Sequence, residues 1–223
     1  RDRSVLAFCS RLNIDTVKKI LIEEHKMDES KAHILSCLSS GSMGEALKIA
    51  NAVHVAAKEA GVSLIVNDHV GIAMASKAEG LHTGPDDISI SAARKMLGRK
   101  VWIGRSTGGK PADAVKAEKD GADYVGVGPV FTTTTKKGTG PPVGVTQLSK
   151  VKAVVKIPIV AVGGINSDNL AQCFEAGADG VGVISAVSMA DDMYDSVVDL
   201  RRAMEKATTM TKAGAPSPVK KKA

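Results

Sequence analysis

The sequence predicts a single (β/α)8 barrel, the TIM barrel, from three observations. Short apolar runs alternate with segments of helical period along most of the 223 residues. A helix-to-strand joint is repeated: "GADYVGVG" at 121–128 returns as "GADGVGVI" at 177–184, with a degraded copy, "KAEGLHTG", at 77–84. The first predicted strand also lacks the glycine-rich turn that usually follows it in a doubly wound open sheet, which is the alternative fold.

The strands are predicted from short, unbroken apolar runs, which are typical of parallel strands buried on both faces. In the repeat, glycine suits the end of the preceding helix because it adopts positive φ without penalty. The predicted strands are Val5–Cys9, Ala32–Leu38, Ser63–Val66, Gly80–His82, Val101–Ile103, Tyr124–Val127, Pro158–Val162 and Gly180–Ile184.

Segments of helical period lie between these strands. They are "DTVKKILIEEH" (15–25), "GEALKIANAVHVAAKEAG" (44–61), "ISAARKML" (90–97), "PADAVKAEKDG" (111–121), "LSKVKAVV" (148–155) and "DNLAQCFEAG" (168–177). We expect one domain over residues 1–206, with Trp102 in its core, and a basic Pro/Ala/Lys tail over residues 207–223.

Composition limits the class of protein. Hydrophobic residues make up 43% of the chain and charged residues 24%, which is an ordinary globular balance. Much of the net charge of +6 comes from lysines in the tail, and only 3% of residues are aromatic, so no nucleic-acid surface is predicted. No apolar run approaches the roughly 18 residues of a membrane span. The cysteines, Cys9, Cys37 and Cys173, have no C-x-x-C spacing and are expected to be reduced thiols.

Polar residues follow the predicted strands at their C-terminal ends, where barrels of this class carry their active sites. Asn67 and Asp68 follow the third strand, Asp87 follows the fourth, and Ser106 follows the fifth. Carboxylates are hard oxygen ligands of the kind that Mg²⁺ takes, with its other positions left to water and phosphate. These residues therefore indicate a site for a magnesium-bound diphosphate.

The loop after the sixth strand, "VGVGPVFTTTTKKGTGPPVG" at 125–144, has the composition of an anion cradle. Its two glycines, Gly126 and Gly128, permit close backbone approach. Thr133 and Thr135 lie on the same side of an extended segment, and Lys136 adds a positive charge for phosphate oxygens. A second phosphate site is predicted at "AVGGIN" (161–166) and "VISAVS" (183–188), because the loops after strands seven and eight commonly bind phosphate in these barrels.

Six segments together resemble the thiamin phosphate synthase family, in order, over roughly residues 45–205. They are "VSLIVND" (62–68), "EGLHTGPDD" (79–87), "WIGRST" (102–107), "GADYVGVGPVFTTTTKKGTGPPVGV" (121–145), "IPIVAVGGIN" (157–166) and "AGADGVGVISAV" (176–187). The loop after the sixth strand is the most specific of them.

The resemblance implies a transferase. Such enzymes join hydroxymethylpyrimidine diphosphate to a thiazole phosphate and release pyrophosphate, through a pyrimidine-methyl cation that the thiazole nitrogen captures. It implies that Asp68 and Asp87 bind Mg²⁺ and that Ser106 and Lys136 act on the departing diphosphate. By the same resemblance Asn67, Thr133 and Thr135 contact the diphosphate, and Gly164, Ile184 and Ser185 contact the thiazole phosphate.

One departure from the family pattern concerns the end of the second strand. The family has Gln-x-Arg-x-Lys there, whereas the corresponding stretch here, "SCLSSGSMG" at 36–44, contains no basic residue. Charge-assisted hydrogen bonds are worth about 1.5–3 kcal/mol each. Losing two of them in the transition state slows turnover by roughly two to four powers of ten.

Three functions therefore stay open. The chain is a working synthase, or it is a catalytically degenerate homologue that serves as a structural or binding subunit, or it is the related thiazole tautomerase. The last needs a catalytic histidine where Gly108 stands. The "IGRST" segment resembles algal and cyanobacterial members, and with the missing initiator Met it leads us to expect a plastid location, with the cytoplasm as the alternative. Partners through the tail and self-association are further expectations.

Overall fold

Parallel strands form the centre of the protein in a computed structural model that describes residues 4–9, 32–36, 42–135 and 140–213. Each strand pairs with the next in the chain, and the eighth also pairs with the first, so the strand order is a ring. The strands are β1 (Ser4–Cys9), β2 (Ala32–Ser36), β3 (Ser63–Asn67), β4 (Gly80–Thr83), β5 (Trp102–Ser106), β6 (Tyr124–Val127), β7 (Ile159–Val162) and β8 (Gly180–Val183).

Helices connect the strands from β2 onward. They are α1 (Met43–Glu59), α2 (Val70–Ser76), α3 (Ile90–Leu97), α4 (Pro111–Lys119), α5 (Gly144–Lys152), α6 (Leu170–Glu175), α7 (Ser185–Ser188) and α8 (Met193–Ala213). Ser42 begins α1 and Ser89 begins α3, each by accepting the backbone N–H three residues on. In the part of the chain that the structure describes, no helix is both long and apolar enough to cross a membrane. The architecture is a parallel α/β fold.

The alternation of side chains along the strands creates two apolar regions. One face of strands β3 to β8 packs against the surrounding helices, with Leu64 and Val66 of β3 among its fully buried members. The opposite face lines the inside of the ring, where Ile65, Tyr124 and Val160 form a separate small cluster. The ends of these inward-facing rows carry the polar residues of the candidate site.

The predicted strands are all present in the described residues, but four of them, β1, β3, β4 and β5, extend further than expected. Strand β5 continues through Ser106, because Ser106 stays in register with Gly126 of β6. Strand β3 includes Asn67, which is in register with His82. Asn67 and Ser106 are therefore strand residues rather than loop residues. Pairing with the neighbouring strands holds the backbone that carries their side chains.

The helices differ more from expectation. Neither α2 nor α8 is predicted by the sequence: α2 is too short to show a clear period, and α8 continues past residue 207, where we expect the tail to begin. Ala207 is only 3% exposed. The expectation that Trp102 lies in the core is wrong, since its side chain is 45% exposed at the start of β5. The predicted helix at 15–25 and the tail after residue 213 lie outside the described residues.

Candidate active site

Asn67 and Asp68 end β3 and begin the loop that leads into α2. The backbone N–H of Asp68 donates to the His82 carbonyl at 2.8 Å, which ties this loop to β4. Asp68 has a φ of 65°, a left-handed conformation that few residues other than glycine adopt, although Asp and Asn adopt it more readily than most. Backbone strain of this kind is often found at functional sites.

Asp87 lies in the next loop, after β4. Its Oδ2 accepts the backbone N–H of Gly84 at 2.6 Å, so the carboxylate stabilises the loop in which it lies. Arg105 of β5 holds the same loop from outside: its guanidinium donates to Thr83 Oγ1 at 3.0 Å and to the Pro85 carbonyl at 3.3 Å. The position of Asp87 therefore depends on a cation that lies on the neighbouring strand.

Ser106 is half-buried at the end of β5 and is hydrogen-bonded to a histidine. His82 Nε2 lies 2.8 Å from Ser106 Oγ, and His82 Nδ1 lies 3.0 Å from the Tyr124 hydroxyl. The rings of His82 and Tyr124 are stacked, with centroids 5.5 Å apart. Burial, with a smaller contribution from the Asp123 carboxylate, raises the pKa of Tyr124, so its phenol keeps its proton.

The threonine-rich loop after β6 has a firmly held base. The backbone N–H groups of Val130 and Phe131 donate to the carbonyls of Val162 and Gly163, which extends the pairing of β6 with β7. At the tip, the hydroxyls of Thr133 and Thr135 are 3.3 Å apart, so they face the same side. Lys136, expected to carry the positive charge, lies outside the described residues.

The loop after β7 is packed against this base. Gly164 has a φ of +68°, and a Cβ placed there would lie 2.4 Å from the Thr132 carbonyl oxygen. The glycine pair at 163–164 is thus required by the close approach of the two loops. On the next strand, Ile184 and Ser185 begin α7 immediately after β8.

The ring of strands brings these residues to one end of the sheet. Strands β3 to β8 are consecutive neighbours, and all six run parallel. Their C-terminal ends therefore share one edge, with the carboxylates in the loops after β3 and β4 and the glycine and serine loops after β7 and β8. Among the described residues, no group of three or more His, Cys, Asp and Glu side chains forms a metal cluster.

Sequence reasoning missed two residues of this region. Tyr124 reads as an ordinary strand residue, and Arg105 reads as part of a loop. The one available signal is the glycine at 104, inside β5. A Cβ there would lie 2.1 Å from Tyr124 Cζ, so this glycine marks the position where the tyrosine ring lies over the strand.

Comparison with known proteins gives the family. A family model described as thiamine monophosphate synthase matches residues 38–187. The chain belongs to the thiamine monophosphate synthase family. The thiamine-phosphate synthase of Moorella thermoacetica is 45% identical over 163 residues, which are 73% of this chain and 77% of that protein. The thiamine-phosphate synthase of Chloroflexus aurantiacus is 47% identical over 144 residues, 65% of this chain and 66% of that protein.

A solved structure agrees with the family. Thiamine phosphate pyrophosphorylase from Pyrococcus furiosus superposes with a TM-score of 0.80 at 31% identity, over 92% of this chain and 96% of that one. The resemblance inferred from the six sequence segments is confirmed. The match to the family model begins at residue 38, inside the stretch 36–44 that lacks basic residues. Residues 37–41 of that stretch lie outside the described residues.

Proposed function

We propose that this member of the family is a thiamin phosphate synthase, which joins hydroxymethylpyrimidine diphosphate to thiazole phosphate and releases pyrophosphate. The observation that carries the proposal is the placement of carboxylates, hydroxyls and glycine loops at the C-terminal ends of six neighbouring strands. Family membership supports it, because relatives at 45% and 47% identity carry that name.

We assign the diphosphate to the C-terminal ends of β3, β4 and β5. Asp68 and Asp87 supply two carboxylates on neighbouring strand ends, which is the hard oxygen donor set that Mg²⁺ accepts when it keeps water and phosphate as further ligands. Asn67, beside Asp68 in the same loop, supplies an amide for the diphosphate oxygens. When bound, Mg²⁺ neutralises the charge of the diphosphate.

Ser106, Thr133 and Thr135 act as hydroxyl donors to the diphosphate, and Lys136 supplies a charge-assisted hydrogen bond to it. The paired threonine hydroxyls, 3.3 Å apart, support this assignment because they present two polar groups to one ligand. Catalysis then consists mainly of stabilising the negative charge that develops on the leaving diphosphate, with donors already in place before the bond breaks.

The thiazole phosphate is assigned to the C-terminal ends of β7 and β8. Gly164 lies in the loop after β7, and Ile184 and Ser185 follow β8. Because Gly164 has no side chain, the loop after β7 can lie directly against the threonine-rich loop after β6. The proximity of the two loops supports binding of the two substrates side by side, as a direct attack of the thiazole nitrogen on the pyrimidine methylene carbon requires.

A turnover assay tests the proposal. The full chain is incubated with hydroxymethylpyrimidine diphosphate, thiazole phosphate and MgCl₂, and thiamin phosphate is measured by mass spectrometry. Formation of thiamin phosphate that stops in Asp68→Asn supports the proposal. A folded protein with no turnover above the uncatalysed rate contradicts it.

A second candidate function is that of a degenerate homologue that binds without catalysing. The specific observation in its favour is the absence of Arg and Lys from residues 36–44. The two candidates differ in outcome: the degenerate homologue binds diphosphate weakly or not at all and gives no thiamin phosphate.

A further proposal concerns the location of the protein in the cell. A plastid location is supported by the resemblance of "IGRST" to algal members. Fluorescence microscopy of the tagged full-length protein in an algal cell tests the location.

A further inference from the structure

Three side chains on the inner face of the sheet form a continuous hydrogen-bonded chain that ends at the candidate site. Tyr124 Oη lies 3.0 Å from His82 Nδ1, and His82 Nε2 lies 2.8 Å from Ser106 Oγ. Tyr124 and His82 are buried, whereas Ser106 is half-buried. The chain thus runs from the interior of the barrel to a hydroxyl at its mouth.

Two glycines make room for the rings. A Cβ at Gly104 would lie 2.1 Å from Tyr124 Cζ, and a Cβ at Gly126 would lie 3.2 Å from His82 Cε1. Any other residue at Gly104 would displace the tyrosine ring. The backbone of β5 and β6 therefore accommodates this chain.

The direction of the hydrogen bonds follows from the tyrosine. Its burial raises its pKa, so its oxygen carries a proton that needs an acceptor. Within residues 42–135 and 140–213, the acceptor in reach of that hydroxyl is His82 Nδ1. A neutral imidazole has one accepting and one donating nitrogen. If Nδ1 accepts from Tyr124, Nε2 carries the ring proton and donates to Ser106 Oγ.

This direction determines what Ser106 offers to a ligand. Because Ser106 Oγ already accepts from His82, its own hydroxyl proton is directed to another acceptor. In the reverse direction Ser106 would donate to Nε2 and present only a lone pair outward, which repels an anion. The two directions thus differ in whether Ser106 attracts or repels a phosphate oxygen.

We propose that Tyr124 and His82 are positioning residues that hold the Ser106 hydroxyl as a hydrogen-bond donor toward a phosphate oxygen at the barrel mouth. The anion in this inference rests on the proposed function, whereas the direction of the chain does not. Tyr124 and His82 act through Ser106 and need not touch the ligand.

The direction of the chain is tested first, without any ligand. Long-range proton–nitrogen NMR spectra of the ¹⁵N-histidine-labelled protein distinguish protonated from unprotonated ring nitrogens, and His82→Gln identifies the His82 signals among the five histidines. We expect the neutral ring with its proton on Nε2. A proton on Nδ1 alone, or on both nitrogens, overturns the proposal.

The coupling to Ser106 is tested with inorganic pyrophosphate and MgCl₂ by calorimetry. Tyr124→Phe keeps the ring and removes the donor, and we expect a dissociation constant about threefold to tenfold higher, the size of one net hydrogen bond. In the Ser106→Ala background the same change is expected to have no further effect. Equal effects of Tyr124→Phe in both backgrounds would overturn the proposal, since the tyrosine would then act by packing alone.

Two controls separate this result from failures of folding or of the proposed function. Tyr194→Phe removes the hydroxyl of a tyrosine that is 42% exposed, and we expect unchanged pyrophosphate binding. If the wild-type protein binds no pyrophosphate, the proposed function fails. The NMR spectra still decide the direction of the chain in that case, because they are recorded without ligand.

Discussion

Arg94 donates a hydrogen bond to the Asp123 carboxylate, with 2.6 Å between the guanidinium nitrogen and Oδ2. The same oxygen accepts the backbone N–H of Ile103 at 2.7 Å. One carboxylate therefore ties helix α3 to strands β5 and β6. It does so at the N-terminal ends of the strands, the edge of the sheet opposite to the candidate active site.

The same arrangement occurs before β4 and before β8. Asp179 Oδ2 accepts from Lys152 at 2.7 Å and from the backbone N–H of Ile159 at 3.0 Å. Glu79 pairs with His54 at 2.8 Å and accepts a backbone N–H of β3. These are the acidic residues of the three repeat copies, so the repeat in the sequence records a repeated tie between a helix and two strands.

Removing one of these ties is expected to lower stability without changing the candidate site. Asp123→Ala leaves the Ile103 N–H and the Arg94 guanidinium without this acceptor, and we expect a loss of about 1–2 kcal/mol in the free energy of unfolding, reduced by the partial exposure of the pair. Urea denaturation measures it. Asp120→Ala breaks an exposed pair with Lys116 one helical turn apart and serves as the control, with an expected change of no more than about 0.5 kcal/mol. Equal losses in the two variants would contradict this account of Asp123.

The glycine loop after β7 is expected to tolerate no side chain. Gly164→Ala combines a left-handed backbone with an overlap against the Thr132 carbonyl, whereas Gly61→Ala has a similar φ of +66° in open space. We expect Gly61→Ala to cost about 1–2 kcal/mol. Gly164→Ala should cost clearly more and abolish turnover. Similar unfolding energies and full activity in both variants would show that the two loops are not held together.

Arg105 is expected to act on Mg²⁺ affinity through the loop that carries Asp87. Arg105→Lys keeps the charge but cannot reproduce the forked contacts to Thr83 and Pro85. The Mg²⁺ concentration for half-maximal diphosphate binding should rise about threefold to tenfold, the equivalent of one net hydrogen bond. Arg202→Lys, on the exposed surface of α8, should leave it unchanged. A normal Mg²⁺ dependence in Arg105→Lys would exclude this role.

Cys173 is expected to make stability depend on alkaline pH. Burial raises the pKa of this thiol from 9.0 to about 12. Because the folded pKa is the higher one, the contribution is fully present below about pH 9 and is lost as the pH rises toward 12. Between pH 9 and pH 10 the loss is about 1 kcal/mol.

The comparison that isolates this thiol uses the Cys9→Ser/Cys37→Ser protein with and without Cys173→Ala. The free energy of unfolding of the protein that keeps Cys173 should fall more steeply above pH 9. Parallel curves would mean that the thiol ionises equally well in the folded state.

The strands were predictable because each is a short apolar run beside a glycine or an acidic residue, and these local signals agree with the global fold. The turn before β6 is an example. The glycine at 121 favours the turn, and Asp123 forms the tie between helix α3 and strand β5. The ends of β3 and β5 were not predictable, because Asn67 and Ser106 are polar and their strand pairing depends on neighbours far away in the sequence.

The candidate site likewise contains residues whose position could be predicted from the sequence and residues whose position could not. Asp68 and Asp87 follow strands directly, so their place at the mouth follows from the fold class. The partnership of His82 with Tyr124 and Ser106 joins three different strands, and no pattern within one segment encodes it. The exposure of Trp102 also escaped prediction, since a tryptophan next to apolar residues resembles a core position at the start of any strand.

The most direct test of the account is calorimetric titration with hydroxymethylpyrimidine diphosphate in the presence of MgCl₂, on the wild-type protein and on Asp68→Asn. Asparagine tolerates the left-handed φ of 65°, so the variant should fold with nearly unchanged stability while losing one carboxylate. The account predicts micromolar, Mg²⁺-dependent binding in the wild type and its loss in Asp68→Asn. Absence of binding at millimolar ligand, or equal binding by both proteins, would contradict it.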